Sequence, residues 1–327
     1  MAEARVRWET RAMPTGALGR LQDVAVHLAG IAGACPPPAP RHPVVVVFAA
    51  DHGVVADGAS AWPSEITAAM VAMVSRGGAA ISVFAEAVGA PVIVVDVGVQ
   101  TPLGPLPGVK AARVADGTAS LAAGAAMTRD EAEAAVAVGI EVASEQMEAG
   151  ADCLIGGDLG IGNTTAAAAL IGAFAGRAAN EVTGAGAGVP AGGLDHKRRL
   201  VGIAIERAEA CAEPLEILAT AGGLEIAALA GMFIAAAQNR VPFIVDGVIA
   251  GAALCAADAL APGTAAHAIA GHRSSEPAAS IVLNHLGLDP LLDLNLRLGE
   301  GTGACLAFPL VQAAALALAD IADLPDH

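Results

Sequence analysis

The segment Arg297-Leu298-Gly299-Glu300-Gly301-Thr302-Gly303 sets one carboxylate between two glycines. A carboxylate placed that way is a candidate general base, because bare backbone on either side lets a substrate proton come within reach. The same pattern also fits a flexible turn with Glu300 in water. A second group is Gly156-Gly157-Asp158-Leu159-Gly160-Ile161-Gly162-Asn163-Thr164-Thr165, a glycine loop between an apolar strand and an alanine-rich helix. Its glycines allow close approach of a ligand, and Asn163, Thr164 and Thr165 offer a helix cap together with N–H and hydroxyl donors for a phosphate. A tight strand-to-helix turn would use the same residues. The loop has neither a Walker lysine nor the spacing of a dinucleotide fingerprint, so ATP and NAD are not indicated.

Further along, Thr183-Gly184-Ala185-Gly186-Ala187-Gly188 precedes Lys197, which with Lys110 makes up the lysines of the chain. An ammonium beside two glycine loops could meet a phosphate or a carboxylate, or could sit on a solvated helix turn. His272-Arg273-Ser274-Ser275-Glu276-Pro277 combines a cation with two hydroxyls and reads either as a phosphate or sugar contact or as a hydrogen-bonded loop. Asp51-His52-Gly53 closes an apolar run and is read as shaping a strand-end turn. No H-x-H or H-E-x-x-H spacing occurs, so no metal site is expected. Trp62 and Met70 supply soft apolar surface suited to a core or to a planar ring.

These residues need a scaffold, and the length allows one: 327 residues bury a large core as one α/β unit with a small appendage. Seventeen basic against thirty-three acidic side chains give a formal charge of -16, the wrong sign for tracking a nucleic acid backbone. Aromatic residues make up only 2%, with no tyrosine, which removes a stacking platform for single strands. The apolar runs are read as broken by charge or glycine before spanning length, and Met1 to Arg7 lacks a secretory apolar region, so a soluble cytoplasmic protein with no membrane partner is expected. Five cysteines without a C-x-x-C pair suggest neither zinc nor a disulfide framework.

Residues 44–50, 92–97, 153–155 and 241–245 read as buried strands. Residues 64–74, 79–88, 128–148, 164–175, 224–237 and 249–260 read as helices, with another starting near Leu194 and an amphipathic one within residues 8–30. The alternation predicts a doubly wound, mainly parallel sheet, whose ligands sit at the carboxyl ends of the strands. Pro36, Pro37, Pro38 and Pro40 mark a linker.

Taken in order, Pro14-Thr15-Gly16-Ala17-Leu18-Gly19, Ala50-Asp51-His52-Gly53-Val54, Arg76-Gly77-Gly78-Ala79-Ala80-Ile81, the loop Gly160 to Thr165, Gly222-Gly223-Leu224-Glu225-Ile226-Ala227, Gly271-His272-Arg273-Ser274 and Leu298 to Gly303 cover nearly the whole chain. They resemble the nicotinate-nucleotide:dimethylbenzimidazole phosphoribosyltransferase family. The resemblance implies a Rossmann-like catalytic domain over residues 36–300, a small helical domain from residues 1–35 and 301–327, a homodimer, and no cofactor. It implies conversion of nicotinate mononucleotide and 5,6-dimethylbenzimidazole to α-ribazole 5'-phosphate and nicotinate, by one displacement with inversion at the ribose.

Carried over position by position, the resemblance makes Glu300 the catalytic base. It assigns Gly160, Gly162, Asn163, Thr164, Thr165, Gly184, Gly186, Ser274 and Ser275 to the phosphate, and Asp158 and Lys197 to the surroundings of the ribose. Trp62, Met70 and Leu298 fall at the base pocket, with Asp51 and Asp246 helping to shape the site. Asp158 stands where many relatives carry Glu. Adenine or a phenol in place of the benzimidazole, and a non-catalytic nucleotide-binding relative, are the alternative readings.

Overall fold

The structure is a computed structural model that describes residues 1–189 and 192–324. Among these, the strands are β1 (Pro43–Ala50), β2 (Val92–Gly98), β3 (Val109–Ala111), β4 (Cys153–Leu159), β5 (Phe243–Val245) and β6 (Ala268–Ala270). They form one sheet in the order β3-β2-β1-β4-β5-β6 with every pairing parallel. That is the doubly wound order, with the reversal between β1 and β4. The β-branched run of β1 is buried along its whole length, as a strand covered on both faces requires.

The helices are α1 (Ala2–Glu9), α2 (Arg20–Ala32), α3 (Glu65–Ser75), α4 (Ala80–Ala87), α5 (Arg129–Glu148), α6 (Asn163–Ala175), α7 (Ala179–Val182), α8 (Leu194–Glu209), α9 (Pro214–Ala221), α10 (Leu224–Gln238), α11 (Val248–Leu260), α12 (Ala278–Leu286) and α13 (Thr302–Asp320). Alternate residues of β1 point to opposite faces. Val44, Val46 and Phe48 pack with α5, α6 and α8 to α12, whereas Val45, Val47 and Ala49 pack with α2, α3, α4 and α13. The alanine and glycine content serves this packing: a Cβ on Gly139 of α5 would stand 1.7 Å from the Ala228 carbonyl of α10, so the two helices meet backbone to backbone.

Both termini meet on the second face. Arg11 donates to the Leu318 carbonyl at 2.9 Å and pairs with Asp323 at 3.0 Å, tying α1 to the end of α13. The last three residues of the terminal segment 301–327 lie outside the described residues.

Several elements differ from the sequence reading. The amphipathic helix expected within residues 8–30 is α2, which follows the Pro14–Gly19 turn, whereas α1 ahead of it and β3, short and only half-buried, were not expected. Contrary to the expectation that apolar runs stop short of spanning length, Thr302–Asp320 has the length and hydropathy of a membrane span. Its inner face is buried against the sheet and α2, which accounts for that apolarity.

Helix α5 opens with a capping box: the Glu131 N–H donates to Thr128 Oγ1 at 3.2 Å, and the Thr128 N–H donates to Glu131 Oε2 at 2.7 Å. Thr128→Ala should lower unfolding stability by about 1 kcal/mol in a urea titration. Turnover should not change, since neither Thr128 nor Glu131 lines the cavity.

Candidate active site

A cavity of about 360 Å³ opens at the carboxyl ends of β4, β5 and β6, with the segment that follows β1 forming another of its walls. It is walled by Asp158, Gly160, Asn163 and Thr164 after β4, by Gly247 and Val248 after β5, and by His272, Ser274 and Glu276 after β6. Leu298, Gly299 and Glu300 close one side, and Trp62, Ile66 and Met70 form an apolar wall. A wider depression at Leu103 to Val109 offers Asp96 as its one charged lining residue.

Glu300 sits in the middle of an unusual turn. Gly299, Glu300 and Gly301 have φ of 84°, 63° and 87°, three left-handed residues in succession. Glycine accepts that conformation freely, while a glutamate held there stores strain, a feature that clusters at functional sites. Asp246, just past β5, fixes the turn: its Oδ2 accepts from the Gly301 N–H at 3.2 Å and its Oδ1 from the Ala304 N–H at 2.9 Å. The Glu300 side chain is buried, 4% exposed, and its Oε2 has no hydrogen-bond partner. Burial raises its pKa above the ordinary glutamate value, the Ile81 N–H at the start of α4 opposes that, and the Asp246 charge adds to it.

Further carboxyls surround this one. Asp158 accepts from the Asn163 side-chain amide at 2.9 Å. Burial first, then the charges of Asp246, Glu225 and Glu300, hold its pKa well above the ordinary aspartate value. A Cβ on Gly299 would lie 3.2 Å from Asp158 Oδ1, so the turn and this carboxyl are in contact. His272 Nε2 lies 3.3 Å from Asp246 Oδ1. Burial would lower the His272 pKa, and the Asp246 carboxylate outweighs it and raises it. No three His, Cys, Asp or Glu side chains converge as metal ligands among the described residues.

The loop expected between β4 and α6 is partly strand. Gly156, Gly157, Asp158 and Leu159 continue β4, paired with Val46 to Ala49, because their missing or small side chains admit α10 on one face and the Glu300 backbone on the other. Helix α6 then begins at Asn163 with Gly162 as its N-cap, at φ 97°, and no side chain caps it. The expected Asn or Thr cap is absent since the Asn163 and Thr165 N–H groups already donate to the Gly160 and Gly162 carbonyls.

Of the residues named from sequence, Asp158, Gly160, Asn163, Thr164, Gly186, Ser274, Trp62, Met70, Leu298 and Glu300 line the cavity. Asp51, Gly162, Thr165, Gly184, Lys197 and Ser275 lie outside the lining. Lys197 stands one layer back, only 2% exposed, and donates to Thr164 Oγ1 at 2.9 Å. Burial lowers its pKa to about 8. Gly184 packs under Glu276, whose Oε1 accepts from the Gly186 N–H at 3.0 Å. Ser275 is exposed, its N–H bound to the Leu296 carbonyl, and Thr165 Oγ1 is buried without a partner. Asp51 holds the Gln100 N–H at 2.8 Å behind the site.

Sequence reasoning passed over Ile66, Val248, Ile249 and Arg297, which also line the cavity. Val248 and Ile249 follow the strand-end pair Asp246-Gly247, a position that could have pointed to them. Arg297 donates to the Gly186 carbonyl at 3.0 Å and so bridges the second glycine run to the Glu300 turn.

A family model described as phosphoribosyltransferase matches residues 1–326. The nicotinate-nucleotide–dimethylbenzimidazole phosphoribosyltransferase of Salinispora tropica is 49% identical over 324 residues, spanning 94% of this chain and 89% of its own. That of Chloroflexus aurantiacus is 48% identical over 320 residues, spanning 98% and 91%. The crystal structure of CobT from Thermus thermophilus superposes with a TM-score of 0.95 at 47% identity, covering 98% of this chain and 96% of that one.

Proposed function

Because the chain belongs to the nicotinate-nucleotide–dimethylbenzimidazole phosphoribosyltransferases, we propose that Glu300 is the base of that reaction. The protein transfers the phosphoribosyl group of nicotinate mononucleotide to dimethylbenzimidazole, the step that makes the lower-ligand nucleotide of cobalamin. Nicotinate departs from a pyridinium, taking the electrons of the C1–N bond as a neutral ring nitrogen, so the leaving group needs no proton. The acceptor's pyridine-like nitrogen forms the new bond to C1, and its N–H becomes acidic as it does. Glu300 accepts that proton. One displacement from the opposite face inverts the β-glycoside to the α-glycoside.

The observation that carries this reading is a buried carboxylate, unpartnered at Oε2, held in left-handed backbone on the wall of the cavity. A group raised in pKa by burial is also a stronger base once ionised. The apolar wall of Trp62, Ile66, Met70 and Leu298 suits a flat methylated ring system. Asp158 stands beside the ribose and its reacting carbon.

The phosphate goes to Gly160, Asn163, Thr164, Gly186 and Ser274 at the other end. Thr164 Oγ1 receives a hydrogen bond from Lys197 and so keeps its own proton to give. Lys197→Met should raise the KM for nicotinate mononucleotide by about tenfold or more, the scale of a hydrogen bond to a charged group. In the free enzyme the Lys197 charge is lost as pH rises through about 8. The kcat/KM for the nucleotide should therefore fall on that alkaline side, and a profile flat to pH ~10 would remove Lys197 from phosphate binding.

Incubation of the purified protein with both substrates should release nicotinate and form the α-ribotide, with chromatography as the readout. No turnover with any benzimidazole, purine or phenol would defeat the enzyme reading. The protein is also proposed to be a cytoplasmic homodimer. Trp62 and Leu298 at the cavity mouth are 50% and 57% exposed, and Met73 and Val83 continue an apolar surface on α3 and α4. Sedimentation equilibrium measures the mass, and a monomer would reject the dimer.

A further inference from the structure

His52 and Glu225 form a buried pair that the chemistry above does not use. His52 Nε2 lies 2.7 Å from Glu225 Oε1, with side chains 1% and 0% exposed. Burial would lower the histidine's pKa, but the Glu225 carboxylate outweighs it and raises it. His52 Nδ1 and Glu225 Oε2 have no partner, which leaves the Nε2 to Oε1 contact as the bond that sets the ring's direction.

The ring is wedged between two stretches of bare backbone. A Cβ on Gly160 would stand 3.3 Å from His52 Cδ2 and Nε2, and one on Gly162 would stand 3.2 Å from His52 Cβ. On the other side a Cβ on Gly223 would stand 2.4 Å from Cε1 and 2.7 Å from Glu225 Oε2. The ring therefore transmits the position of the α10 start, where Gly223 is the N-cap and Glu225 lies in the first turn, to the Gly160–Gly162 loop. A second tether holds the middle of the loop, where the Ile161 N–H donates to Thr67 Oγ1 at 3.1 Å.

A buried ion pair adds little net stability, because desolvation of both charges offsets their attraction, and an apolar pair of the same volume often packs as well. What an apolar pair cannot do is fix the plane of a ring. We propose that the His52–Glu225 pair is a positioning device for the Gly160–Gly162 loop, setting affinity for the phosphate of nicotinate mononucleotide while leaving the base site and the chemical step alone. The inference rests on the placement of that phosphate on this loop. Neither residue touches substrate, since neither lines the cavity.

The test separates the nucleotide from the acceptor. Glu225→Leu removes the directing bond, and it should raise the KM for nicotinate mononucleotide by about tenfold, the scale of a charge-assisted hydrogen bond, with kcat and the KM for dimethylbenzimidazole changing less than about threefold. Glu225→Gln keeps an acceptor oxygen for His52 and should recover most of the lost affinity.

Should Glu225→Leu not fold, the double variant His52→Leu, Glu225→Leu replaces both charges and leaves neither stranded. Calorimetry on that folded protein should show nicotinate mononucleotide binding weakened by about tenfold. A folded double variant that binds the nucleotide like wild type overturns the proposal, as does an equal rise in both KM values. Wild-type protein that neither binds nor converts the nucleotide would instead defeat the functional reading on which the inference rests.

Discussion

Glu300→Gln is expected to lower kcat by about a hundredfold or more while calorimetric affinity for nicotinate mononucleotide stays near that of wild type. The amide has the shape of the carboxylate and leaves the Gly299–Gly301 turn in place, but it cannot take a proton. The loss therefore falls on the step in which the benzimidazole N–H is surrendered. The pH dependence carries the same signature with a definite sign. A base must be ionised to act, so kcat/KM rises with pH through the pKa of Glu300. Burial and the Asp246 charge place that acid limb above the ordinary glutamate value of 4.5. In Glu300→Gln the limb should vanish from whatever residual rate survives. An unimpaired variant would transfer the role to another carboxyl, and Asp158, in contact with the same turn, would be examined next.

The sequence carried the scaffold well because most of it is written in periodicity and punctuation. The β-branched run at residues 44–50 is an interior strand of the sheet, the helix read over residues 128–148 is α5 with Thr128 as its N-cap, and the alternation of strands and helices is the parallel order observed. Failures occurred where tertiary contact overrides local pattern. Gly156-Gly157-Asp158-Leu159 looks like a loop by composition and is strand in fact, since its glycines are demanded by α10 and by the Glu300 carbonyl, neither of which is visible from a local window.

Glu300 shows the same limit from the other side. A Gly-Glu-Gly segment reads equally as a solvated turn, and only the packing of Asp246 against the Gly301 and Ala304 N–H groups makes it a buried, conformationally fixed carboxylate. Asn163 and Thr165 were read as donors to an anion, and because their backbone N–H groups close the turn itself, only their side chains remain for that role. Lys197 was visible as a rare cation, whereas its place behind Thr164 depends on how α8 packs on α6.

Gly157→Ala is the substitution that tests whether the scaffold sets the base. Gly157 lies in the middle of a regular ladder, paired with Val47, so its backbone has no need of glycine. What requires glycine is the approach of the turn: a Cβ there would stand 2.4 Å from the Glu300 carbonyl oxygen and 2.7 Å from its carbonyl carbon, and 3.0 Å from Val47 Cγ2. A backbone carbonyl cannot rotate away as a side-chain tip can, so the Gly299–Gly301 turn must shift. The turn is pinned at its far end by Asp246 and by the start of α13, and displacement is therefore concentrated on Glu300.

Overpacking of this kind costs about 1–3 kcal/mol of stability. A reacting group misplaced by about an ångström loses about a hundredfold in rate. The expected result is a folded protein with a lowered midpoint of unfolding and a kcat far below wild type, while the KM for nicotinate mononucleotide moves little because the phosphate loop lies beyond the strand end. Gly104→Ala, at a position where a Cβ meets nothing within 4 Å, should leave both rate and stability near wild type. Full activity in Gly157→Ala would mean that Glu300 reaches its working position by another route than the contact between β4 and the turn.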